Sequence, residues 1–426
     1  MTDIDEAGLH TKWNARLIGL VAVLSLVNFV VDSAITAPLV VLPEMLDHFG
    51  TSQPAWLNAT AMLAGVVWAP LLGKAADKHG KRKVLVLTLL LSCAGALLCA
   101  VAPSLWLFVP GRMLQGAALA AMFLSVAIVR SACAPRIGMI VVGIVTSGSA
   151  VLNIASRFFI EKLAKEFGFQ ILFLISAVVA VAMAVCVRKV VPESPVVKTP
   201  SSSRAGGGLR NLGRPLVLTL LVIFLAAGSY QSMLQLIPLI GDVSAGQDLG
   251  YGLADQGSVA LLLAAPGIGV TLGGPAAGWL AARIGPAPTL AGAVALGTVG
   301  TIGMFLGASE LAAALCFAFL LGITAGALGA AGFNMAISLA AAERQGIVSS
   351  LVMVMVSIGA VVLDFVGGTV LKATTVDVDG DTVNSATGVF TYIAIGTGMF
   401  AIAAVLAATL VRGTRASKTA QIGVEA

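Results

Sequence analysis

Charged side chains interrupt several long apolar stretches of the sequence, at Asp32, Arg112 and Asp364. Only 11% of the 426 residues are charged and 58% are hydrophobic, so a charge inside an apolar run is unusual. A charged side chain at the centre of a bilayer costs on the order of 3 kcal/mol on insertion scales, and such residues often mark ion pathways. We therefore treat these three as candidates for proton coupling, with Asp364 also a candidate for cation recognition. A fourth, Arg157, lies near enough to the end of its run to reach water.

Asp32 and Arg112 are predicted to lie at a similar depth in the membrane. Asp32 is about nine residues from the outer end of its run, and Arg112 is about seven residues from the outer end of its own. At about 1.5 Å of rise per residue, a helix would place the two side chains at one level. An acid beside a guanidinium balances the cost of burial against Coulomb attraction, which predicts a group that takes up and releases protons. The alternative is a static ion pair that joins two helices.

Uncharged polar side chains within the apolar runs are candidates for lining a substrate cavity. They are Asn28, Gln115, Asn153, Tyr230, Gln231, Gln235 and Asn334. Gln231 and Gln235 are four residues apart and so share one face of a helix, as do Asn28 and Asp32. The chain also has 13 Met and 17 Phe residues, which favours a cavity for apolar or amphipathic molecules. Hydrogen bonding between helices is the alternative for each polar residue.

The runs that carry these residues are long enough to form membrane-spanning helices. The mean hydropathy of the chain is +1.00, and a crossing needs about 17–25 mostly apolar residues. We predict an all-α membrane protein with twelve spans. They are 16–41, 55–74, 83–102, 105–129, 137–160, 169–189, 215–240, 257–282, 287–308, 311–338, 346–371 and 388–411.

The distribution of cations predicts the orientation of the chain. With the N-terminus in the cytoplasm, 20 of the 25 Lys and Arg residues lie on the inner side, and only Lys162, Lys165 and Lys372 lie outside. Inner loops of membrane proteins carry such an excess of cations. We therefore expect a multi-pass protein of the plasma or inner cell membrane with both termini in the cytoplasm.

A long inner segment divides the predicted spans into two sets of six. Residues 190–214 contain several prolines, a Ser-Ser-Ser run and a Gly-Gly-Gly run, which is typical of a flexible linker. The predicted domains are a six-helix bundle at 1–189, the linker at 190–214 and a second bundle at 215–426. A weak internal repeat supports this division, because 278–285 lies between spans 8 and 9 as 73–83 lies between spans 2 and 3.

The chain has no residue pattern typical of an enzyme, a metal site or a cofactor site. Its five cysteines lie in or at the ends of apolar runs without paired spacing, and its three histidines lie in tails or loops. A Gly-Lys-Ser/Thr element for binding phosphate is missing, which argues against transport driven by ATP. We expect no cofactor and no enzymatic activity.

The loop between predicted spans 2 and 3 carries five cations and one carboxylate within 73–83. It resembles the signature loop of the major facilitator superfamily, G-x-L-x-D-x-x-G-[RK]-[RK]. The matching residues are Gly73, Asp77, Gly80, Lys81 and Arg82, and Ala75 departs from the usual Leu. The alternative is an ordinary cationic inner loop.

This resemblance implies two pseudo-symmetric six-helix bundles that alternate in access, with a binding site between them near mid-membrane. It also implies that Asp77 caps the N-terminus of helix 11, near Gly346, in the outward-open state. A carboxylate is favoured there by the helix dipole. The alternative is that Asp77 bonds only within its own loop.

Two further motifs resemble those of proton-coupled drug exporters in the superfamily. Arg112, Gln115 and Gly116 resemble the R-x-x-Q-G motif of helix 4, whose arginine is implicated in proton transfer. Asp32, followed by Pro43, loosely resembles the helix 1 motif, although the spacing is about two residues too long. The Gly-Pro element that such exporters carry in helix 5 is missing after Gly148.

These features together predict a secondary transporter that exports small amphipathic compounds, such as drugs or secondary metabolites, by proton antiport. Because the helix 5 motif is missing, proton-coupled uptake of an organic solute is an open alternative. A membrane sensor or assembly protein that does not transport is the second alternative. The expected partners are a small-molecule substrate, protons and the lipid bilayer, but no nucleic acid, and the expected state is a monomer.

Overall fold

The computed structural model of the chain describes residues 9–50, 55–150, 152, 160, 162–164, 166–193, 213–242, 250–253, 259–341, 344–378 and 381–425. The helices of known extent, in chain order, are α1 Ala15–Val40, α2 Leu42–Phe49, α3 Ala55–His79, α4 Lys81–Ala100, α5 Leu105–Gln115, α6 Ala120–Ala132, α7 Pro135–Ser147, α8 Gln170–Val190, α9 Arg214–Asp242, α10 Val259–Ile284, α11 Pro286–Gly307, α12 Leu311–Ser338, α13 Gln345–Ala373 and α14 Ala386–Glu425. A 3-10 turn, Gly116–Leu119, joins α5 to α6, and the strands β1 Thr375–Val378 and β2 Asp381–Asn384 lie between α13 and α14.

The predicted membrane architecture is confirmed. Eight helical stretches of 20 to 29 residues within the described chain are apolar and long enough to cross a bilayer. Two shorter apolar helices accompany them, at Pro135–Ser147 and Arg214–Tyr230. The protein is therefore a multi-pass membrane protein. The count of twelve spans stays a prediction, because parts of spans 5 and 8 lie outside the described residues.

Turn residues set where several helices begin. The Asn14 side chain accepts a hydrogen bond from the Leu17 N–H at 2.8 Å, which caps α1. Gly80 and Gly285 precede α4 and α11 with φ angles of 98° and 97°, a conformation that glycine adopts at no steric cost. These two glycines belong to the two copies of the weak internal repeat, so both copies make the same kind of turn.

Residue contacts divide the chain into two compact units. Unit 1 comprises Met1–Gly207 and Ala340–Val354, and unit 2 comprises Gly208–Leu339 and Met355–Ala426. The first turns of α13 thus group with unit 1 and the remainder of that helix with unit 2. The domain boundaries that we predicted at 189 and 215 stay predictions.

The N-terminal segment of unit 1 is joined to the connection between α6 and α7. The His10 N–H donates to the Ala132 carbonyl at 2.9 Å, and the His10 carbonyl accepts from the Ala134 N–H at 3.0 Å. These two bonds form a short parallel bridge of His10 with Cys133. His10, shortly before α1, is therefore joined to an element that lies much later in the chain.

Two features of the fold were not predicted. Helix α2 is a short helix directly after α1, and its Met45 packs in a buried cluster with Phe108 and Phe173. In unit 2, β1 and β2 pair antiparallel, with Val376 opposite Val383. The Tyr251 hydroxyl donates to the Asn384 carbonyl and so attaches this hairpin to the segment that follows α9.

Candidate functional site

Arg112 is the centre of a buried polar cluster in unit 1. Its side chain lies in the last turn of α5 and is fully buried. Its Nε donates to the Leu57 carbonyl of α3 at 3.1 Å, and its Nη2 donates to the Ile35 carbonyl of α1 at 3.1 Å. Its Nη1 donates to the Ala34 carbonyl at 3.2 Å and to Gln115 Oε1 at 2.9 Å. One guanidinium thus connects three helices.

Pro38 explains why a carbonyl of α1 is open to Arg112. In an α-helix the N–H of residue 38 would bond the carbonyl of residue 34, but proline has no N–H. Pro38 lies inside α1, so the Ala34 carbonyl lacks its partner within the helix. The Arg112 guanidinium supplies the missing donor. The proline break in α1 and the buried arginine are therefore parts of one arrangement.

The ion pair that we expected between Asp32 and Arg112 is not formed in the described part of the chain. There, the acceptors of Arg112 are main-chain carbonyls and Gln115, and Asp32 is exposed on α1. Position along a helix fixes the depth of both residues but not the direction in which each side chain points around the helix axis. Residues 34 and 35 of α1, rather than Asp32, point their carbonyls at the arginine.

Asn28 and Gln115 were predicted to line a cavity, but the structure buries both within unit 1. Gln115 is fully buried, and its Oε1 also accepts from the Cys99 thiol at 3.9 Å. Asn28 is 6% exposed; its Nδ2 donates to the Val145 carbonyl at 2.9 Å and its Oδ1 accepts from Ser125 at 3.4 Å. Both side chains therefore join helices, which was the alternative for them.

The remaining cavity candidates lie in different environments. Asn334 is fully buried in α12. Tyr230 is partly buried and packs against a core cluster of unit 2. Gln231 and Gln235 belong to α9, but their side chains lie outside the described part of the chain, as does the whole of Asn153.

The predicted contact of Asp77 with the start of helix 11 is present within unit 1. Asp77 Oδ1 accepts from the Gly346 N–H at 3.0 Å, and Oδ2 accepts from the Ile347 N–H at 3.1 Å. Both donors lie in the first turn of α13, where amides have no partner within the helix. A side chain at Gly346 would place its Cβ 2.4 Å from Asp77 Oδ1, so the contact requires glycine there.

The electrostatics of Asp77 reflect this position. Burial raises the pKa of the Asp77 carboxyl above its ordinary value of 3.8. Hydrogen bonds from the Ile347 and Gly346 amides and the charge of Lys81 lower the pKa by a smaller amount. Gly73, one turn before Asp77, approaches the same helix, since a Cβ on it would lie 2.9 Å from the Gly346 carbonyl.

Two cations of the signature loop, Lys81 and Arg82, have identified partners in unit 1. Lys81 is 9% exposed, and its Nζ donates to the Ala127 carbonyl of α6 at 2.9 Å. Arg82 forms an ion pair with Glu193 at 2.6 Å and donates to the Val191 carbonyl at 3.2 Å. Gly80 supplies the turn between α3 and α4. The loop motif predicts the position of these residues, but nothing in it points to Glu193 as a partner.

Asp364 lies in unit 2 and lines an open depression of about 500 Å³ with Phe365, Gly368, Thr369, Lys372 and Ala373. All of these residues belong to α13. Within the described residues, His, Cys, Asp and Glu form no group of three or more that could hold a metal ion.

The sequence profile of the Major Facilitator Superfamily matches residues 24–363 and 243–426, which together cover most of the chain. The chain belongs to the major facilitator superfamily. A crystal structure of the Escherichia coli fucose:proton symporter FucP has the same fold as this superfamily member. The two superpose with a TM-score of 0.71 at 16% identity, over 93% of this chain and 99% of FucP.

Relatives with higher identity match this superfamily member over shorter stretches. Efflux pump dotC of Dothistroma septosporum is 34% identical over 116 residues, which is 27% of this chain and 20% of that protein. The class B tetracycline resistance protein of Escherichia coli is 38% identical over 73 residues, 17% of each chain. The chain thus spans at most about a fifth of the length of these two relatives. Family and fold point to a transporter rather than an enzyme.

Proposed function

We propose that this protein exports small amphipathic organic compounds, such as drugs or secondary metabolites, in exchange for protons. The relatives named as an efflux pump and a tetracycline resistance protein support export. The observation that carries proton coupling is Asp32, a carboxylate within a membrane span that is exposed in unit 1. An ionisable group within a membrane span is costly, so its presence there marks a candidate for moving ions.

Arg112 acts in this proposal through the main chain. It binds the carbonyls of Ala34 and Ile35, two and three residues after Asp32. Within α1 itself, the Thr36 hydroxyl donates to the Asp32 carbonyl at 2.9 Å, so a carbonyl of the same turn also has a side-chain donor. Arg112 thereby fixes the backbone that presents the acid, while Asp32 itself takes up and releases the proton.

The Asp77 contact is proposed as a conformational latch. Two amides of the first turn of α13 bind one carboxylate on α3. Opening this contact would expose both amides and remove a charge from the N-terminal end of a helix dipole. Alternation between two states of the transporter would include breaking and remaking these bonds.

Transport in proteoliposomes with an imposed pH gradient tests the proposal. Drug transport by the wild-type protein should follow the gradient, and Asp32→Asn should abolish this dependence while counterflow of substrate persists. Asp47→Asn is the matched control, because Asp47 is an exposed acid on the short helix α2. Full gradient-driven transport by Asp32→Asn would contradict the role of the acid.

Proton-coupled uptake is the second candidate, and the missing Gly-Pro element after Gly148 favours it. The direction of flux separates the two: antiport moves substrate against the proton flux, and symport moves it with the proton flux. A protein that binds ligand but shows no counterflow would instead be a sensor. We further propose that the protein is a monomer. The cation distribution supports a location in the cell membrane with both termini in the cytoplasm.

A further inference from the structure

Helix α7 ends at Ser147, although the apolar run predicted a span over 137–160. The residues at 148–149 form a turn that contains no proline. The hydroxyls of Thr146 and Ser147 both donate to the Gly143 carbonyl, at 3.3 Å and 2.6 Å. Bonds of this kind compete with the main-chain bonds of a helix and often bend it. The local sequence therefore favours an end of α7 at this place.

The side chain of Asn28 on α1 supplies a hydrogen-bond donor at the end of α7. The Gly148 N–H still makes a helical bond to the carbonyl four residues earlier, at 2.8 Å. A continuing helix would next join the N–H of residue 149 to the Val145 carbonyl. In the described part of the chain, the donor to the Val145 carbonyl is Asn28 Nδ2, at 2.9 Å. The two helices are close here, since a Cβ on Gly148 would lie 3.3 Å from Ser25 Oγ.

The carboxamide of Asn28 is held in one orientation. A carbonyl can only accept a hydrogen bond, so the NH₂ group of Asn28 must face Val145. The amide oxygen of Asn28 accepts from the Ser125 hydroxyl of α6 at 3.4 Å. The side chain is only 6% exposed, so it depends on these two partners.

The turn of α1 that carries Asp32 lies between two such side-chain bonds. Asn28 lies one helical turn before Asp32, and Arg112 bonds the Ala34 carbonyl shortly after it. Each bond serves a carbonyl at a helix break, in one case the end of α7 and in the other the proline break of α1. The acid-bearing turn is therefore fixed at both ends.

The corresponding crossing in unit 2 has a different construction. The first and fifth spans of the second predicted bundle are α9 and α13, and α13 continues without a break from Gln345 to Ala373. The two helices pack backbone to backbone, because a Cβ on Gly228 would lie 2.5 Å from the Gly359 carbonyl. The fold therefore does not require a broken helix or a buried carboxamide at this crossing. Both occur in the unit that carries Asp32.

We propose that Asn28 is a positioning residue for proton coupling, which joins the turn that carries Asp32 to the end of α7. Because Asn28 and Asp32 are one turn apart on the same helix, a shift of that turn on proton uptake also moves Asn28. The bond to Val145 then carries the shift to α7. This inference rests on the proposed proton exchange at Asp32 and adds a helix that responds to it.

Hydrogen exchange of the full-length protein in lipid nanodiscs, measured by mass spectrometry at one pH, tests this coupling without a substrate. Asp32→Asn removes the charge of the acid, and we expect it to change the exchange rate of peptides covering 143–150 by about threefold or more. In an Asn28→Ser background this response should disappear. Serine is too short to reach α7 and can bond within its own helix. Asn28→Leu, which keeps the volume of the side chain, should behave in the same way.

Thr88→Val is the matched control, because Thr88 is also fully buried in unit 1 but its hydroxyl bonds the Val84 carbonyl of its own helix. The response to Asp32→Asn should persist in this background. An equal response with and without Asn28, or no response of α7 to Asp32→Asn, would overturn the proposal. Failure here is separable from failure of the proposed function, because loss of gradient-driven transport in Asp32→Asn would still support the acid as the proton site.

Discussion

The corresponding helix crossing is built on close glycine packing in both units, but unit 1 adds a buried arginine beside it. In unit 1, a Cβ on Gly116, between α5 and α6, would lie 2.4 Å from the Ala61 carbonyl of α3, and the buried Arg112 and Gln115 lie beside this crossing. In unit 2, the corresponding helices α10 and α12 pack through glycines. A Cβ on Gly273 would lie 2.1 Å from the Ile323 carbonyl, and one on Gly322 would lie 2.1 Å from the Pro266 carbonyl.

The two crossings differ in the buried charge that lies beside one of them. Close backbone packing between small residues is sufficient to hold two membrane helices together. The glycine crossing of unit 2 therefore needs no buried charge. Unit 1 keeps an arginine at its crossing, and this arginine bonds the proline-broken helix that carries Asp32. The crossing of unit 1 thus combines glycine packing with a buried charge that can respond to a change near an ionisable group.

The largest effect is expected from Arg112→Leu, which leaves several buried acceptors without donors. We expect a loss of about 3–5 kcal/mol in the free energy of unfolding, comparable to breaking a buried charged contact. In a Pro38→Ala background the loss should be smaller by about 1–3 kcal/mol, because alanine at this position restores an N–H for the Ala34 carbonyl. Unfolding of the wild type, the two single variants and the double variant in detergent measures this coupling.

Arg136→Leu, which removes an exposed cation, serves as the control for Arg112→Leu. Equal losses for Arg112→Leu in the presence and absence of Pro38 would show that the arginine does not compensate for the proline break.

A smaller loss is expected from Gly322→Ala in the glycine crossing. The added methyl group would collide with a main-chain carbonyl that cannot move independently of its helix. Such overpacking typically costs about 1–3 kcal/mol. Gly329→Ala is the matched control on the same helix, because its Cβ would meet nothing within 4 Å. If both variants had the wild-type melting temperature, the crossing would be looser than the structure shows.

Asp77 should make the stability of unit 1 depend on pH. Since burial raises the pKa of this acid above 3.8, the folded state binds a proton more readily than the unfolded state does. Its contribution is therefore most favourable at low pH and is lost as pH rises through the raised pKa. Relative to Asp77→Asn, the wild type should gain stability between pH 7 and pH 4. A difference that moves the other way would mean that the amide donors outweigh burial.

The smallest effect is expected for the ion pair between Arg82 and Glu193. Its side chains are 29% and 33% exposed, and pairs of this kind contribute about 0.2–1 kcal/mol. Glu193→Gln should cost no more than that, and the cost should fall further in high salt. A loss that salt does not change would indicate that Glu193 acts through packing or neutral hydrogen bonds.

Hydropathy and charge spacing were sufficient to predict the fold because a bilayer imposes strong rules on both. The contact of Asp77 with the α13 amides was also foreseen, from the resemblance of the loop. The partners of Arg112 were not, since depth along a helix says nothing about which way a side chain points.

The bridge between His10 and the segment Ala132–Ala134 has a consequence for biogenesis. Its second partner is made about 120 residues after the first. At roughly 5–20 residues per second of translation, the nascent N-terminus must wait on the order of ten seconds for that partner to leave the ribosome. During this interval the tail lacks this contact, so the bridge can form only after the whole of α6 has been synthesised.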